Sequence, residues 1–205
     1  MKKLSFYLLM CLCSLVASTD LLAQKKLRFG MKAGVAYSSY YGDNIMKVAP
    51  KTGFQAGFLF DYRLSEKWAI QPEFIYSVEG IKFDNGSRAE VSLGYINMPI
   101  IFKYYATEKL SLQAGPKVGF LTWGKIKEKG GSGDASGYFK DGKFDLQFGV
   151  GYDLMKNLAV NVRYTLGVTN AMNYPLETGW PASDFGGLSG EVRSSVLQVN
   201  LVFRF

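Results

Sequence analysis

Residues 144–168 read FDLQFGVGYDLMKNLAVNVRYTLGV. In the first half Phe144, Leu146, Phe148, Val150, Tyr152 and Leu154 alternate with Asp145, Gln147, Gly149, Gly151 and Asp153. After Met155-Lys156-Asn157, a second run places Leu158, Val160, Val162, Tyr164, Leu166 and Val168 against Asn161, Arg163, Thr165 and Gly167. A side-chain period of two is the mark of a β-strand with two unlike faces. Two such runs joined by three residues predict an antiparallel pair. One face is large and apolar, the other small or polar.

The same pattern recurs through the chain. Leu27, Phe29, Met31, Val35 and Tyr37 face away from Arg28, Lys32 and two glycines. Phe54, Phe58, Phe60, Tyr62 and Leu64 oppose Gln55, Asp61 and Arg63. Trp68, Ile70, Phe74, Tyr76 and Val78 oppose Gln71, Glu73, Ser77 and Glu79. Further runs start at Ile96, Leu110 and Leu197. Upstream of Ile96, Val91, Leu93 and Tyr95 have the opposite parity, and a β-bulge near Tyr95 would reconcile the two sets. Eight strands are predicted, each long enough for the roughly 9–11 residues of a tilted transmembrane strand. No helical segment of comparable strength is present.

The connections alternate in length. Ser65–Lys67, Ala106–Lys109 and Met155–Asn157 are tight turns, whereas Ser39–Pro50, Gly80–Glu90, Gly124–Lys143 and Asn170–Ser194 are longer and polar. Short turns at one end and long loops at the other are the plan of an outer-membrane barrel. An eight-stranded barrel has an interior that side chains just fill. The Phe, Tyr, Trp and Leu faces would overfill it; the Gly, Ser, Asn and Gln faces fit. The expected fold is therefore an all-β, eight-stranded antiparallel up-and-down transmembrane barrel, with its large side chains towards lipid. Tyr62, Trp68, Tyr104, Tyr152, Phe203 and Phe205 near the short turns, and Tyr37, Tyr76 and Phe120 towards the other rim, fit interfacial girdles. A soluble ligand-binding barrel or sandwich with an aromatic core is the competing reading.

Composition agrees. The 205 residues are 48% hydrophobic and 15% aromatic, too apolar for a disordered chain. Lys2 and Lys3 precede the apolar stretch Leu4–Val16, and Ala23 offers a small residue for cleavage, so residues 1–23 read as an export signal and 24–205 as the barrel domain. Both cysteines, Cys11 and Cys13, would leave with that signal. Loss of Lys2, Lys3 and Asp20 lowers the net charge only from +7 to about +6. The alternating end, Leu197 to Leu201, Phe203 and Phe205, resembles the C-terminal signal read by the bacterial barrel-assembly machinery.

Chemistry is sparse. There is no histidine, and a chain without its signal would have no cysteine. The common nucleophile–base pairings and imidazole or thiolate metal sites are excluded. Glu73 and Glu79 share a strand face but stand about 20 Å apart at strand rise, too far to flank one bond. No catalytic, cofactor or metal residue is assigned, and the chain is expected to be non-enzymatic. The inward charges are the main constellation: Arg28, Lys32, Arg63, Lys103, Lys117, Arg163 and Arg204 with Asp61, Glu73, Glu79, Asp145 and Asp153. Arg28, Asp61, Arg63, Lys103, Asp153 and Arg204 should lie at the short-turn end. In a narrow lumen such groups must pair or stay hydrated. They form either a salt-bridge network that plugs the barrel or the lining of a narrow channel.

The loops offer partner surfaces. Gly130-Gly131-Ser132-Gly133 lacks the Lys-Ser/Thr and strand-to-helix context of a phosphate loop and reads as a flexible loop. Its neighbours Lys125, Lys127, Lys129, Lys140 and Lys143 could contact lipopolysaccharide. Tyr174, Trp180 and Phe185 sit in the last loop. Asn85-Gly86-Ser87 matches a glycosylation sequon but reads as a turn. The basic residues are spread over lumen and loops, which argues against nucleic-acid binding.

The stretches KLRFGMKAGVAYSS, GFQAGFLFDYRLSEKWAIQPEFIYS and YINMPIIFKYYATEKLSLQAGPKVGFL, with the closing alternation to Phe205, resemble the PorT-like outer-membrane β-barrel proteins of Bacteroidota-type bacteria. The resemblance covers essentially the whole chain after the signal, and the turn-flanked strand pairs and Asn97-Met98-Pro99 are its most specific parts. It implies an outer-membrane barrel and supplies no catalytic motif; the even strand number places both termini on the short-turn, periplasmic side, with the long loops expected to be extracellular. The expected partners are outer-membrane lipid, lipopolysaccharide, the assembly machinery, and envelope or secretion-system proteins. The expected role is structural or scaffolding, with a porin-like channel or a secretion accessory as the alternative.

Overall fold

The computed structural model describes residues 27–42, 48–83, 89–128, 131–172 and 191–205. The export signal, the sequon and the aromatics Tyr174, Trp180 and Phe185 lie outside these residues. Among the described residues nine strands follow in order: β1 Leu27–Gly42, β2 Val48–Arg63, β3 Trp68–Phe83, β4 Glu90–Tyr105, β5 Leu110–Glu128, β6 Gly131–Asp134, β7 Gly142–Asp153, β8 Leu158–Gly167 and β9 Val192–Arg204. A 3-10 turn spans Ser136–Tyr138.

Every pairing is antiparallel. The order β4-β3-β2-β1-β9-β8-β7-β5 closes through β4 on β5, giving an eight-stranded barrel with β6 hydrogen-bonded to the outer end of β5. Closure pairs the first barrel strand with the last, from Gly30↔Arg204 to Gly42↔Val192. The barrel wall has no free edge, which is what lipid demands of a spanning sheet. The three tight turns share one geometry. The amides of Leu64, Ala106 and Leu154 donate to the carbonyls of Trp68, Leu110 and Leu158, each at 2.9 Å. Ser65 and Thr107 reinforce two of them by accepting from the amides of Trp68 and Leu110 at 3.1 and 2.9 Å.

The alternation sorts side chains as expected. Phe58, Phe74, Ile100, Leu112, Phe148, Tyr164 and Leu201 are exposed on the outer wall, while Lys32, Gln71, Glu73, Asn97, Gln147 and Arg163 are buried. The large-out, polar-in arrangement excludes the soluble barrel with an aromatic core.

Three expectations need correction. The bulge expected near Tyr95 lies on the neighbouring strand. Gly94 pairs with Trp123 and Tyr95 with Leu121, so the extra residue is Thr122 of β5. β4 keeps its parity throughout, and Val91, Leu93 and Tyr95 are buried inside, 3%, 0% and 1% exposed. They point inward because the barrel interior turns apolar towards the long-loop end.

The second correction concerns the glycine-rich loop. Gly131–Asp134 is strand β6, paired with β5 from Lys125↔Asp134 to Glu128↔Gly131. The backbone pairing of an extended β5 captures a segment whose composition alone looks flexible.

The third concerns the loop bounds. β1 runs on to Gly42 and β7 begins at Gly142, so Ser39–Gly42 and Lys143 belong to the wall. At about 3.3 Å rise, the 16 residues of β1 to β4 exceed what a ~25 Å apolar band needs even when tilted. Exposed apolar side chains reach the short turns at Leu64, Trp68 and Leu154, so the excess wall lies at the long-loop end.

Candidate functional site

In the interior, buried ionisable side chains from all eight barrel strands converge. Strand parity sends them there, and glycines in the same faces make room. A Cβ on Gly149 would meet the Val162 carbonyl oxygen and the Arg163 Cγ, the latter at 2.7 Å, so the long Arg163 side chain needs a glycine across from it.

Three ionic clusters follow one another from the short-turn end. In the first, Asp61 accepts from Lys103 at 3.2 Å and Arg204 at 3.1 Å and forms a looser ion pair with the partly exposed Arg28 at 3.7 Å, and Arg204 also reaches Asp153 at 2.5 Å. In the second, Glu73 holds Lys32 at 2.6 Å and Arg163 at 2.8 Å. Lys32, Glu73 and Arg163 each stand five residues in from the short-turn end of their strands. Gln71 donates to Glu73 as well, and Gln113 accepts from the Arg163 Nε at 2.8 Å. In the third, Glu79 and Asp145 face Lys143 and Lys117. Lys143–Glu79 is 2.6 Å and Lys117–Asp145 is 2.9 Å, with the crossed pairs at 3.9 Å. Ser77 and Ser194 donate to the two carboxylates at 3.0 and 3.1 Å.

Neutral amides fill the gaps. Gln55 donates to Asn200 at 2.6 Å and Asn200 to Asn161 at 2.9 Å, while Gln147 reaches Thr165 at 2.9 Å. Above the third cluster an apolar layer begins, with Tyr40, Val91, Leu93, Tyr95, Ile126, Phe139 and Met172 among its members. The Lys143 ammonium lies 3.9 Å from the centre of the Tyr95 ring and joins the two zones. The Phe139↔Met172 bridge ties the segments flanking the neighbouring strands β7 and β8, and the Tyr40–Phe139 ring contact at 6.3 Å links them to β1 at the mouth.

Of the residues selected from sequence, Arg28, Lys32, Asp61, Glu73, Glu79, Lys103, Lys117, Asp145, Asp153, Arg163 and Arg204 take part in these clusters. Arg63 does not. Its guanidinium stacks 3.6 Å from the centre of the Tyr105 ring and donates to the Glu66 carbonyl, with no carboxylate partner among the described residues. Lys143, assigned from sequence to a loop, is a buried member of the third cluster. Its signal was present, since Lys143, Asp145 and Gln147 continue one parity. At the C-terminus, Leu201, Phe203 and Phe205 are exposed on the outer wall, and Phe205 stacks on Phe29 at 5.8 Å.

The chemistry of this interior is charge neutralisation in a confined space. Each carboxylate of the three clusters meets at least one ammonium or guanidinium, so none of these acidic charges is buried alone.

Solved structures share the fold. The attachment invasion locus protein Ail of Yersinia pestis is 15% identical with a TM-score of 0.51, over 88% of this chain and 99% of that one. Neisserial surface protein A is 15% identical with a TM-score of 0.56, over 86% and 97%. A major outer membrane protein from Thermus thermophilus is 12% identical with a TM-score of 0.52, over 87% and 99%. At these identities the likeness is one of architecture. No curated protein matches the chain. The family model described as outer membrane protein beta-barrel domain matches residues 22–173. A closed, lipid-facing barrel with that match belongs to this family of bacterial outer-membrane proteins.

Proposed function

We propose that this protein is a non-enzymatic structural or scaffolding barrel of the cell envelope, plugged by its own side chains. The observation that carries the reading is the sequence of three ion-paired clusters under an apolar layer. Together they occupy the interior with salt-bridged and packed groups at every level described. Both termini are proposed to face the periplasm and the long loops the exterior. Leu201, Phe203 and Phe205 are proposed as the assembly signal. Planar-bilayer recording of the refolded protein tests the plug: no unitary steps are expected, and reproducible steps from pure protein would overturn it. Orientation is tested by a Gly133→Cys variant, whose exposed site in β6 should react with a membrane-impermeant maleimide on intact cells. Labelling only after lysis would reverse the topology.

The second reading is a narrow channel or an accessory of protein secretion, the latter resting on the PorT-like resemblance. Its support is the run of ionisable groups from Asp61 to Asp145 along one lumen, which would become a hydrated path if the apolar layer moved. A deletion strain with an unchanged set of secreted proteins would remove the secretion role.

A further inference from the structure

The outer wall carries a gradient on one flank that the lumen does not explain. Along β3, β4 and β5 the outward side chains rise in cross-strand rows. Tyr76↔Ile96↔Phe120 comes first, followed by Val78↔Gly94↔Trp123, then Gly80↔Ser92↔Lys125, and finally Lys82↔Glu90↔Lys127. The Trp123 indole N–H donates to the Tyr76 hydroxyl at 2.9 Å, tying two amphipathic aromatics together at the boundary. Immediately above them Lys125 lies 5.8 Å from the centre of the Trp123 ring. Lys51 of β2 runs its stem past Gly80 and ends on Ser92 and on Glu90, the latter at 2.6 Å. The Lys51 hydrogen bond, with Lys82 and Lys127 nearby, holds the Glu90 carboxyl below its ordinary pKa. Lys82, Lys125 and Lys127 are exposed and have no carboxylate at ion-pair distance among the described residues.

The bulge at Thr122 creates this arrangement. It flips the parity of β5, so that Ile126 enters the apolar layer while Lys125 and Lys127 turn outward. Among the described residues the opposite flank lacks such an excess, since Arg193 of β9 is paired with Glu191 at 2.5 Å.

We propose that the flank of β2 to β5 above the Tyr76–Trp123 pair binds the phosphorylated sugar headgroup of an outer-leaflet glycolipid. Four lysines against Glu90 and Asp134 leave a net positive surface. Ammonium groups are point-charge binders of phosphate. The indole and phenol present flat faces and a hydroxyl suited to a sugar, at the depth where such rings settle in a bilayer. Directly beneath, Phe74, Met98, Val118 and Phe120 are exposed and offer a wall for acyl chains. That continuity selects an amphiphile over a soluble polyanion or a protein partner. The proposal rests on the long loops lying outside the cell.

The test measures lipid binding to the refolded full chain in zwitterionic micelles by native mass spectrometry. The probes are bisphosphorylated lipid A, the same lipid without phosphates, phosphatidylglycerol and inorganic phosphate. Wild type should bind bisphosphorylated lipid A at least tenfold more tightly than the variant Lys82→Gln/Lys125→Gln/Lys127→Gln, while Arg193→Gln should match wild type. These positions are exposed, and heat-modifiable gel migration checks that each barrel is folded. Equal binding by the triple variant, or by the phosphate-free lipid, overturns the proposal. Full competition by millimolar inorganic phosphate identifies a free-anion site instead, and equal lysine-dependent binding of phosphatidylglycerol removes the glycolipid assignment. The whole-cell labelling of Gly133→Cys fails separately, so a wrong topology is distinguishable from a wrong ligand.

Discussion

Glu73 shows how much one buried residue carries. Its carboxylate is the only counter-charge within ion-pair distance of both Lys32 and Arg163 among the described residues. Glu73→Ala would strand two buried cations, a loss in the range of about 3–5 kcal/mol for a broken buried ion pair. The midpoint of urea unfolding in lipid vesicles measures it. Adding Lys32→Met should recover part of the loss, because one of the stranded charges is removed with it. Arg63→Ala should cost less than about 1 kcal/mol, since Arg63 lies at the rim on the face of Tyr105. A large loss there, or none at Glu73, would contradict the placement of these groups. The sequence makes the inward side of each charge legible through parity alone. It does not reveal the partners, because Glu73 meets Arg163 across 90 positions of chain. Pairing depends on strand order and barrel stagger, which no local pattern encodes.

At the scale of the strand, period two is readable wherever one face meets lipid and the other a polar lumen, as in Phe144–Leu154. It misleads where the interior itself turns apolar and the outer face polar, as where Val91, Leu93 and Tyr95 alternate with Glu90, Ser92 and Gly94. Val91, Leu93 and Tyr95 look like lipid-facing residues because their chemistry is the same; only their height, above the bilayer boundary, makes them interior. The flip at Thr122 is equally silent, since a bulge adds one residue without a compositional mark. The inward glycines yield a graded expectation. At Gly119 a Cβ would meet the Asn97 Oδ1 at 2.6 Å and the Lys143 Cε at 3.0 Å, both on side chains. At Gly149 it would meet the Val162 carbonyl oxygen and the Arg163 Cα, the latter at 2.8 Å, in the neighbouring backbone. Side-chain ends can shift and a paired backbone cannot. Gly149→Ala should therefore cost about 1–3 kcal/mol as overpacking, and Gly119→Ala less. Equal unfolding midpoints for the two variants would show that the wall yields more easily than its hydrogen bonding implies.

For the whole molecule, the proposed plug raises the question of which groups would keep ions from crossing. The interior has two barriers in series: the apolar layer around Tyr95 and Phe139, and the ionic clusters beneath it. An eight-stranded barrel is narrow enough for side chains alone to close it, so removing one barrier leaves the other intact. Tyr95→Ala/Phe139→Ala opens the mouth but keeps Glu79, Asp145, Lys117 and Lys143 locked in mutual pairs, and its conductance should remain at baseline. Adding Lys32→Ala, Glu73→Ala and Arg163→Ala removes the middle cluster without leaving a stranded charge in it, yet the third cluster still spans the lumen, so steps should again be absent. Only when Glu79, Lys117, Lys143 and Asp145 of the third cluster and Asp61, Lys103, Asp153 and Arg204 of the first are also replaced by alanine should single-channel steps emerge in a planar bilayer. Folding of that variant is checked by its heat-modifiable migration. Steps from the mouth variant alone would mean that the ionic clusters conduct as they stand, and the chain would then be a gated pore rather than a plugged barrel.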